Sequence, residues 1–145
     1  MRLSRDAALI LTSGIFSLRS TCPKGNGAIL AREGRIISTG FNGAPAGQPH
    51  CLEDGCLEDS GGHCQRTIHA EVNTIAMAAR YGISTEGSTL YCTTAPCPHC
   101  CKLLVNSGII KVVYGKDYSD MSGVELLKAC GIEVEQFDKE EMNGQ

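Results

Sequence analysis

Two short segments carry residues whose types and spacing suit metal binding. TIHAEVN (67–73) places His69 two residues before Glu71, and TTAPCPHCCK (93–102) contains Cys97 and Cys100. Cysteines three apart in the first turn of a helix point to the same side, so both thiolates can bind one ion. Together with one histidine they form a three-ligand set that is typical of a zinc ion with one coordination position left open for catalysis.

Glu71 is placed to act at that open position. A carboxylate two residues from a metal ligand can take a proton from a water bound there and pass it on. Each segment alone has a plainer interpretation, because a histidine at a helix start is often a cap and an isolated C-x-x-C can be a redox pair. The two segments together, separated by a predicted helix and strand, favour the metal site.

A second group of metal-binding side chains lies in or beside the Gly-, Pro- and Asn-rich loop at 41–66. Its members are Cys22, Cys51, Cys56, His63 and Cys64. C-x4-C followed by H-C is compatible with a structural zinc that ties a long loop. Neighbouring His63 and Cys64 rarely bind the same ion, so the predicted ligands are Cys22, Cys51, Cys56 and Cys64. The alternative is free thiols in a flexible loop.

The composition narrows the possible classes of protein. At 145 residues the chain fits a single domain over 1–145, with a polar tail at about 137–145. Nine cysteines, an odd number, with no credible signal peptide favour metal binding and free thiols in a reducing cytoplasm. The formal net charge of -3 argues against binding long nucleic acids. No apolar run approaches the length of a membrane span.

Hydrophobic spacing predicts the elements that position these residues. Helices are predicted at about 3–19, 68–82, 96–108 and 122–131. Strands are predicted at 27–32, 35–40, 88–93, 109–115 and 132–137. From residue 68 onward helix and strand alternate, which indicates a mostly parallel sheet, and the leading hairpin adds two strands. The expected fold is an α/β domain with three α/β/α layers around a mixed five-stranded sheet.

H-x-E followed by P-C-x-x-C is the signature of zinc nucleobase deaminases. Over residues 1–136 the chain resembles the cytidine and deoxycytidylate deaminase superfamily, and most closely its deoxycytidylate (dCMP) branch. The segments that carry the resemblance include RSTCPKGNGAIL, FNGAPAG, HCQRTIHAE and EGSTLYCTTAPCPHCCKLLVNSGI. The resemblance implies a cytidine-deaminase-like fold and hydrolysis of dCMP to dUMP and ammonia, which supplies dUMP for dTMP synthesis.

The resemblance also implies roles for single residues. The zinc ligands and the proton shuttle are the four residues already named. Asn42 would bind the deoxyribose, and the Ala70 backbone N–H would contact the base carbonyl. Lys24 and Tyr118 are candidates for binding near the 5′-phosphate, although Lys24 is as readily explained as a solvated surface charge.

Regulation is a further implication of the family. The loop that contains Phe41, Asn42 and Gly43 resembles the loop of hexameric members, which dCTP with Mg²⁺ activates and dTTP inhibits. A deaminase that also acts on dCTP is the closest alternative function. The other alternative functions are a nucleoside or tRNA deaminase and a non-enzymatic zinc module. The acidic charge balance disfavours the tRNA deaminase.

Overall fold

Five strands form one sheet in the computed structural model, which describes residues 2–138 and 140. The strands are β1 (Gly27–Arg32), β2 (Arg35–Phe41), β3 (Thr89–Thr94), β4 (Lys111–Lys116) and β5 (Glu133–Gln136). They lie in the order β2-β1-β3-β4-β5. β1 is antiparallel to both β2 and β3, whereas β3, β4 and β5 are parallel. This confirms the predicted mixed sheet.

Helices cover both faces of the sheet. They are α1 (Arg5–Ser17), α2 (Cys51–Asp54), α3 (Ala70–Arg80), α4 (Pro98–Asn106) and α5 (Ser122–Ala129). α1 packs on one face, and α3, α4 and α5 pack on the other, which completes the expected three layers. Among the residues that the structure describes, each helix is too short or too polar to span a bilayer.

Side chains of the central strands alternate between the two outer layers, as β-strand geometry requires. The buried residues facing α1 include Ile29, Tyr91 and Val113. Those facing the other three helices include Leu30, Leu90 and Val112. Because these strands are buried on both faces, they read in the sequence as nearly continuous apolar runs.

Every predicted helix and strand is present, with ends that differ by a few residues. α1 begins after Ser4, whose hydroxyl accepts the Ala7 backbone N–H at 3.1 Å, and ends at Ser17. α2 lies inside the predicted loop and was not predicted, because four residues are too few to show helical periodicity. Of the predicted polar tail, only residues 137, 138 and 140 are described, and Phe137 is buried in the α1 layer.

A close approach between α3 and β2 sets the position of the first turn of α3. A Cβ atom added at Gly40 would come within 2.5 Å of the Ala70 carbonyl oxygen and would also collide with the Thr74 side chain. Two residues before Gly40 in the same strand, the Ser38 hydroxyl donates to the Thr74 carbonyl at 2.7 Å. Glycine at position 40 therefore lets the start of α3 rest directly on the sheet.

Gly40→Ala is expected to push α3 away from β2 and to lower the free energy of unfolding by about 1–3 kcal/mol, as overpacking does in other cores. Urea denaturation of the purified variant measures the change. Gly14→Ala is the matched control, because nothing lies within 4 Å of a Cβ atom at that helical position. The control should gain up to about 1 kcal/mol from helix propensity. Equal effects of the two substitutions would contradict this account of the packing.

Candidate metal centre and active site

The three predicted zinc ligands meet where two helices begin. His69 is the N-cap of α3, and Cys97 is the N-cap of α4. Pro98 occupies the first turn of α4, where its missing N–H and fixed φ are tolerated, so Cys97 stays just outside the helix and Cys100 lies in the first turn. α4 follows β3, which places the cluster at the carboxyl end of a parallel strand, where α/β proteins commonly bind ligands.

The three ligand atoms form a nearly equilateral triangle. The Nδ1 atom of His69 lies 3.4 Å from the sulfur of Cys97 and 3.4 Å from that of Cys100. The two sulfurs are 3.5 Å apart. A tetrahedral zinc with bonds of about 2.0–2.3 Å holds its ligand atoms roughly 3.3–3.8 Å apart, so the spacing suits this ion. Two thiols and one imidazole are also the ligand types that zinc prefers.

The three side chains of the cluster shift one another's pKa values. The pKa of Cys97 is lowered to about 4, mainly because the Cys100 thiol donates a hydrogen bond to its sulfur and also because His69 lies beside it. The same contact with Cys97 raises the pKa of Cys100, since one proton lies between the two sulfurs. The Cys97 sulfur raises the pKa of His69 in turn. The protonation state of each of the three side chains therefore depends on that of the other two.

Glu71 lies beside this cluster in the first turn of α3 and is buried. Its carboxylate oxygen is 3.7 Å from the Cys100 sulfur. Burial raises the pKa of the Glu71 carboxyl above its ordinary value, because the charged form loses contact with water. A buried carboxyl with a raised pKa next to a metal-binding set is suited to hold and release a proton, as acid–base catalysis requires.

A cleft opens onto the cluster and contains most of the other predicted site residues. Its lining includes Lys24, Asn42, His69, Glu71, Cys97 and Tyr118. Lys24 is exposed and Tyr118 is half-buried. The structure thus brings the predicted metal ligands, the acid–base carboxyl and both phosphate candidates to one opening.

Asn42 is buried, and its side-chain amide is engaged by the protein itself. The Oδ1 atom accepts the Ala70 backbone N–H at 2.8 Å, and Nδ2 donates to the Lys24 carbonyl at 2.9 Å. The expected contacts of Asn42 with deoxyribose and of the Ala70 N–H with the base carbonyl thus involve groups that already bond each other. Asn42 has a structural task here: it joins the segment before β1 to the first turn of α3.

The four cysteines of the predicted second site also converge. The sulfurs of Cys22, Cys51 and Cys56 lie within 4.8 Å of one another. The Cys64 sulfur is 3.5 Å from that of Cys51. His63 points elsewhere, with Nδ1 3.7 Å from an Asp59 carboxylate oxygen.

Cys56 and Cys64, the two less buried thiols of this group, lie in different environments. Burial opposes ionisation of Cys64, but its contacts with the Thr67 hydroxyl and with nearby backbone N–H groups outweigh it and lower the pKa of Cys64 to about 6. Contacts with Cys51 and Cys64, the former the stronger, raise the pKa of Cys56 to about 12. The thiolate is the form that binds metal, so the lowered pKa favours metal binding by Cys64.

The predicted allosteric loop is tied to the segment before the metal centre. Gly43 is buried and exchanges two backbone hydrogen bonds with Ile68, at 3.2 and 2.8 Å. Phe41 is half-buried, and the Arg19 guanidinium lies 5.9 Å from the centre of its ring. The loop therefore contacts both an exposed cation and the residue preceding His69.

Three further polar residues line the cleft that the sequence patterns did not single out: Asn26, Thr67 and Thr94. Thr67 and Thr94 lie within the TIHAEVN and TTAPCPHCCK segments, but none of the three residues is one of the spaced metal-binding or acid–base positions, so their types did not identify them. Their position offered a signal. Asn26 directly precedes β1 and Thr94 ends β3, and these two strand ends neighbour the P-C-x-x-C segment.

A mixed sheet with a two-cysteine, one-histidine cluster at its helix N-termini, faced by a buried glutamate, defines a zinc-binding deaminase domain. The chain belongs to the cytidine and deoxycytidylate deaminase family: the family model described as the cytidine and deoxycytidylate deaminase zinc-binding region matches residues 16–116. It is therefore an enzyme of a deaminase family, as the motifs indicated.

Individual relatives resemble most of the chain. ComE operon protein 2 of Bacillus subtilis (strain 168) is 41% identical over 143 residues, which cover 97% of this chain and 75% of that protein. The deoxycytidylate deaminase of Enterobacteria phage T4 is 35% identical, with 81% of each chain covered. The crystal structure of the cyanophage S-TIM5 dCMP deaminase in complex with dCMP and dUMP superposes with a TM-score of 0.83 at 34% identity, covering 94% of this chain and 99% of that one.

Asn42→Leu is expected to lower the free energy of unfolding by about 1–3 kcal/mol, because it leaves the buried Ala70 N–H without its acceptor. Asn42→Asp keeps that acceptor and should cost less. Chemical denaturation measures both. The control is Asn106→Leu at an exposed position, which should change stability by less than about 0.5 kcal/mol. If Asn42 serves only a ligand, Asn42→Leu will match the control.

Proposed function

We propose that this protein is a dCMP deaminase, which converts dCMP and water into dUMP and ammonia. The observation that carries the proposal is the triangle of His69, Cys97 and Cys100 with buried Glu71 beside it, inside a cleft. Relatives and a solved structure named for dCMP deamination support this choice of substrate. The product would supply dUMP for the synthesis of dTMP.

His69, Cys97 and Cys100 would hold the catalytic zinc. When bound, zinc supplies Lewis acidity that lowers the pKa of a water toward neutrality. Glu71 accepts a proton from the attacking water and delivers one to the ring nitrogen beside the reacting carbon. It then helps to protonate the departing amine. The raised pKa of its carboxyl suits it to both directions of transfer.

The cleft favours a small anionic substrate. Lys24 lies exposed at its lining, where an ammonium group can approach a 5′-phosphate, and Tyr118 lies in the same lining. The net charge of -3 gives no basic field for a polynucleotide. A deaminase that also accepts dCTP remains the closest alternative, because the two nucleotides differ only in their phosphates.

Regulation and assembly extend the proposal. dCTP with Mg²⁺ would activate the enzyme and dTTP would inhibit it, acting at the loop of Phe41, Asn42 and Gly43. The Arg19 cation beside Phe41 supports a site for a polyphosphate there.

A hexamer is proposed as the assembly, and the exposed side chain of Tyr81 (71% exposed) at the end of α3 suits a subunit contact. Cytoplasmic location follows from this role in nucleotide metabolism.

An ammonia-release assay across four compounds tests the function. We expect the highest kcat/KM with dCMP, lower values with dCTP and CMP, and little turnover of deoxycytidine, which lacks a phosphate. Repeating the dCMP assay with dCTP plus Mg²⁺ and with dTTP tests the regulation. Deoxycytidine turned over as well as dCMP would contradict the choice of a nucleotide.

Glu71→Gln is the control for this assay, because it keeps the size of the side chain and removes its acid–base function. We expect turnover of dCMP to fall by at least about a hundredfold. Zinc content and the unfolding transition should remain those of the unmodified protein. Normal turnover by the zinc-loaded variant would exclude Glu71 as the proton shuttle.

We further propose a second, structural zinc held by Cys22, Cys51, Cys56 and Cys64. Four thiols around one point are the ligand set of a closed structural site. Cys22 precedes β1, whereas the other three cysteines lie between residues 51 and 64. One ion would therefore fasten the segment before β1 to both ends of the 51–64 loop. This arrangement supports a role in shaping the cleft, which Cys22 and Cys64 also line.

Elemental analysis is expected to give two zinc ions per chain in the purified protein and one in Cys56→Ser. Cys130→Ser is the matched control, because Cys130 is also exposed and lies outside both clusters. The Cys56→Ser protein should also unfold at lower denaturant concentration, since metal binding contributes to folding. One zinc per chain in the unmodified protein would reject the second site.

A further inference from the structure

Asn26 stands directly before β1 and faces the end of β3 across the sheet. The backbone pairing of these strands ends at Ala28 and Cys92. Beyond that pair, side chains continue the contact between the strands. The Thr94 hydroxyl donates to the Asn26 Oδ1 atom at 2.7 Å, and the Thr93 hydroxyl approaches the same atom at 3.2 Å.

These contacts fix the orientation of the Asn26 amide. The Thr93 oxygen accepts the Gly27 backbone N–H at 3.2 Å, and its own hydrogen has two acceptors in reach. Asn26 Oδ1, at 3.2 Å, is nearer than the Gly27 carbonyl at 3.5 Å. Two hydroxyl donors therefore select Oδ1 as the acceptor. The backbone carbonyl of Asn26 accepts the Asn42 N–H at 3.1 Å, which holds the residue in place. The NH₂ group must then occupy the other side of the amide.

That NH₂ group makes no hydrogen bond to any described residue. Every fully buried side-chain nitrogen and oxygen in the described part of the chain has a partner, so the Asn26 Nδ2 atom is not fully buried. Asn26 lines the same cleft as His69, Glu71 and Cys97. Asn26 therefore offers the cleft a neutral donor that no described protein group uses.

Other polar groups of the cleft are occupied or serve different ends. The Asn42 amide bonds Ala70 and Lys24 within the protein. The Thr94 hydroxyl hydrogen is used by Asn26 itself. The Lys24 ammonium is charged and exposed, which suits a phosphate better than a neutral oxygen. Asn26 is left as a neutral amide donor for a neutral acceptor.

We propose that Asn26 is a specificity-determining residue whose Nδ2 atom donates a hydrogen bond to a neutral oxygen of the bound nucleotide. The acceptor is the carbonyl of the pyrimidine base or the hydroxyl of the sugar, which share this chemistry. The proposal rests on the proposed function and adds to it a residue that recognises the nucleoside part of the substrate. An enzyme site that donates to a substrate oxygen discriminates strongly against analogues that lack it.

Asn26→Asp is the decisive variant, because it keeps the acceptor for both threonines and replaces the donor with a second acceptor. We expect the KM for dCMP and the Kd for dUMP, measured by calorimetry, to rise about 10- to 100-fold. kcat should change less, and the unfolding transition should stay unchanged. Asn106→Asp, with the same charge change at an exposed position, should bind dUMP like the unmodified protein.

Salt separates loss of the donor from simple repulsion of the phosphate. Repulsion by the new carboxylate would fade between low and high ionic strength, whereas a missing hydrogen bond would not. A weakened Kd that returns to normal in high salt therefore overturns the proposal. So does an unchanged Kd, which would leave Asn26 with only its contacts to the threonines.

Two analogues identify the acceptor. 2-Thio-dCMP weakens the base acceptor, and 2′,3′-dideoxy-CMP removes the sugar hydroxyl. The unmodified protein should bind one of them less tightly than dCMP, and Asn26→Asp should lose that preference. If neither preference shrinks in the variant, the proposal is wrong. If the unmodified protein binds dUMP but does not deaminate dCMP, the proposed function fails while the dUMP measurements still decide the role of Asn26.

Discussion

The cleft depends on the hydrogen bonds that Asn42 makes to the surrounding segments. Its side chain joins the Lys24 carbonyl to the Ala70 N–H, and its backbone N–H and carbonyl bond Asn26 and Thr21. One buried residue thus fixes the segment before β1, the end of β2 and the start of α3 relative to one another. Each of these segments contributes side chains to the cleft, so its shape follows from bonds that lie beneath its surface.

The metal cluster depends on a different constraint, the alignment of two helix starts with the sheet. α3 reaches its place because glycine at position 40 admits the Ala70 carbonyl, and α4 because the parallel β3–α4–β4 unit carries it over the same face. At the start of α4 the Cys100 backbone N–H donates to the Cys97 sulfur, and the positive end of the helix dipole stabilises a thiolate there. The order and direction of the strands thus place the starts of both helices at the cluster, and this placement sets the positions of the ligand side chains and the local field.

The sequence alone predicted the parts of this protein that repeat a pattern. Apolar periodicity located the strands and the long helices, and the spacing around His69 and Cys97 indicated which side chains would meet. It did not predict α2, which is too short to be periodic. It also missed Asn26, because a single polar residue before a strand has no spacing that distinguishes it from a turn residue.

The hydrogen-bond partners of single side chains could not be predicted from the sequence. Asn42 was expected to contact a sugar, and the same amide is engaged by Ala70 and Lys24. His63 and Cys64 are neighbours in sequence, yet one turns to Asp59 and the other to Cys51. A motif specifies residue types and spacing, whereas hydrogen-bond partners depend on contacts between segments that are distant in sequence.

The course of α1 across its face of the sheet has a practical consequence. The helix ends near Gly27, where a Cβ atom would collide with the Ser13 carbonyl, and it begins near the β1–β2 turn, where the Arg5 side chain lies against Gly34. The cleft opens at the Gly27 end of β1, so α1 begins at the far end of the sheet from it. A surface tether or fluorescent label coupled near residue 2 would leave the cleft facing the solution.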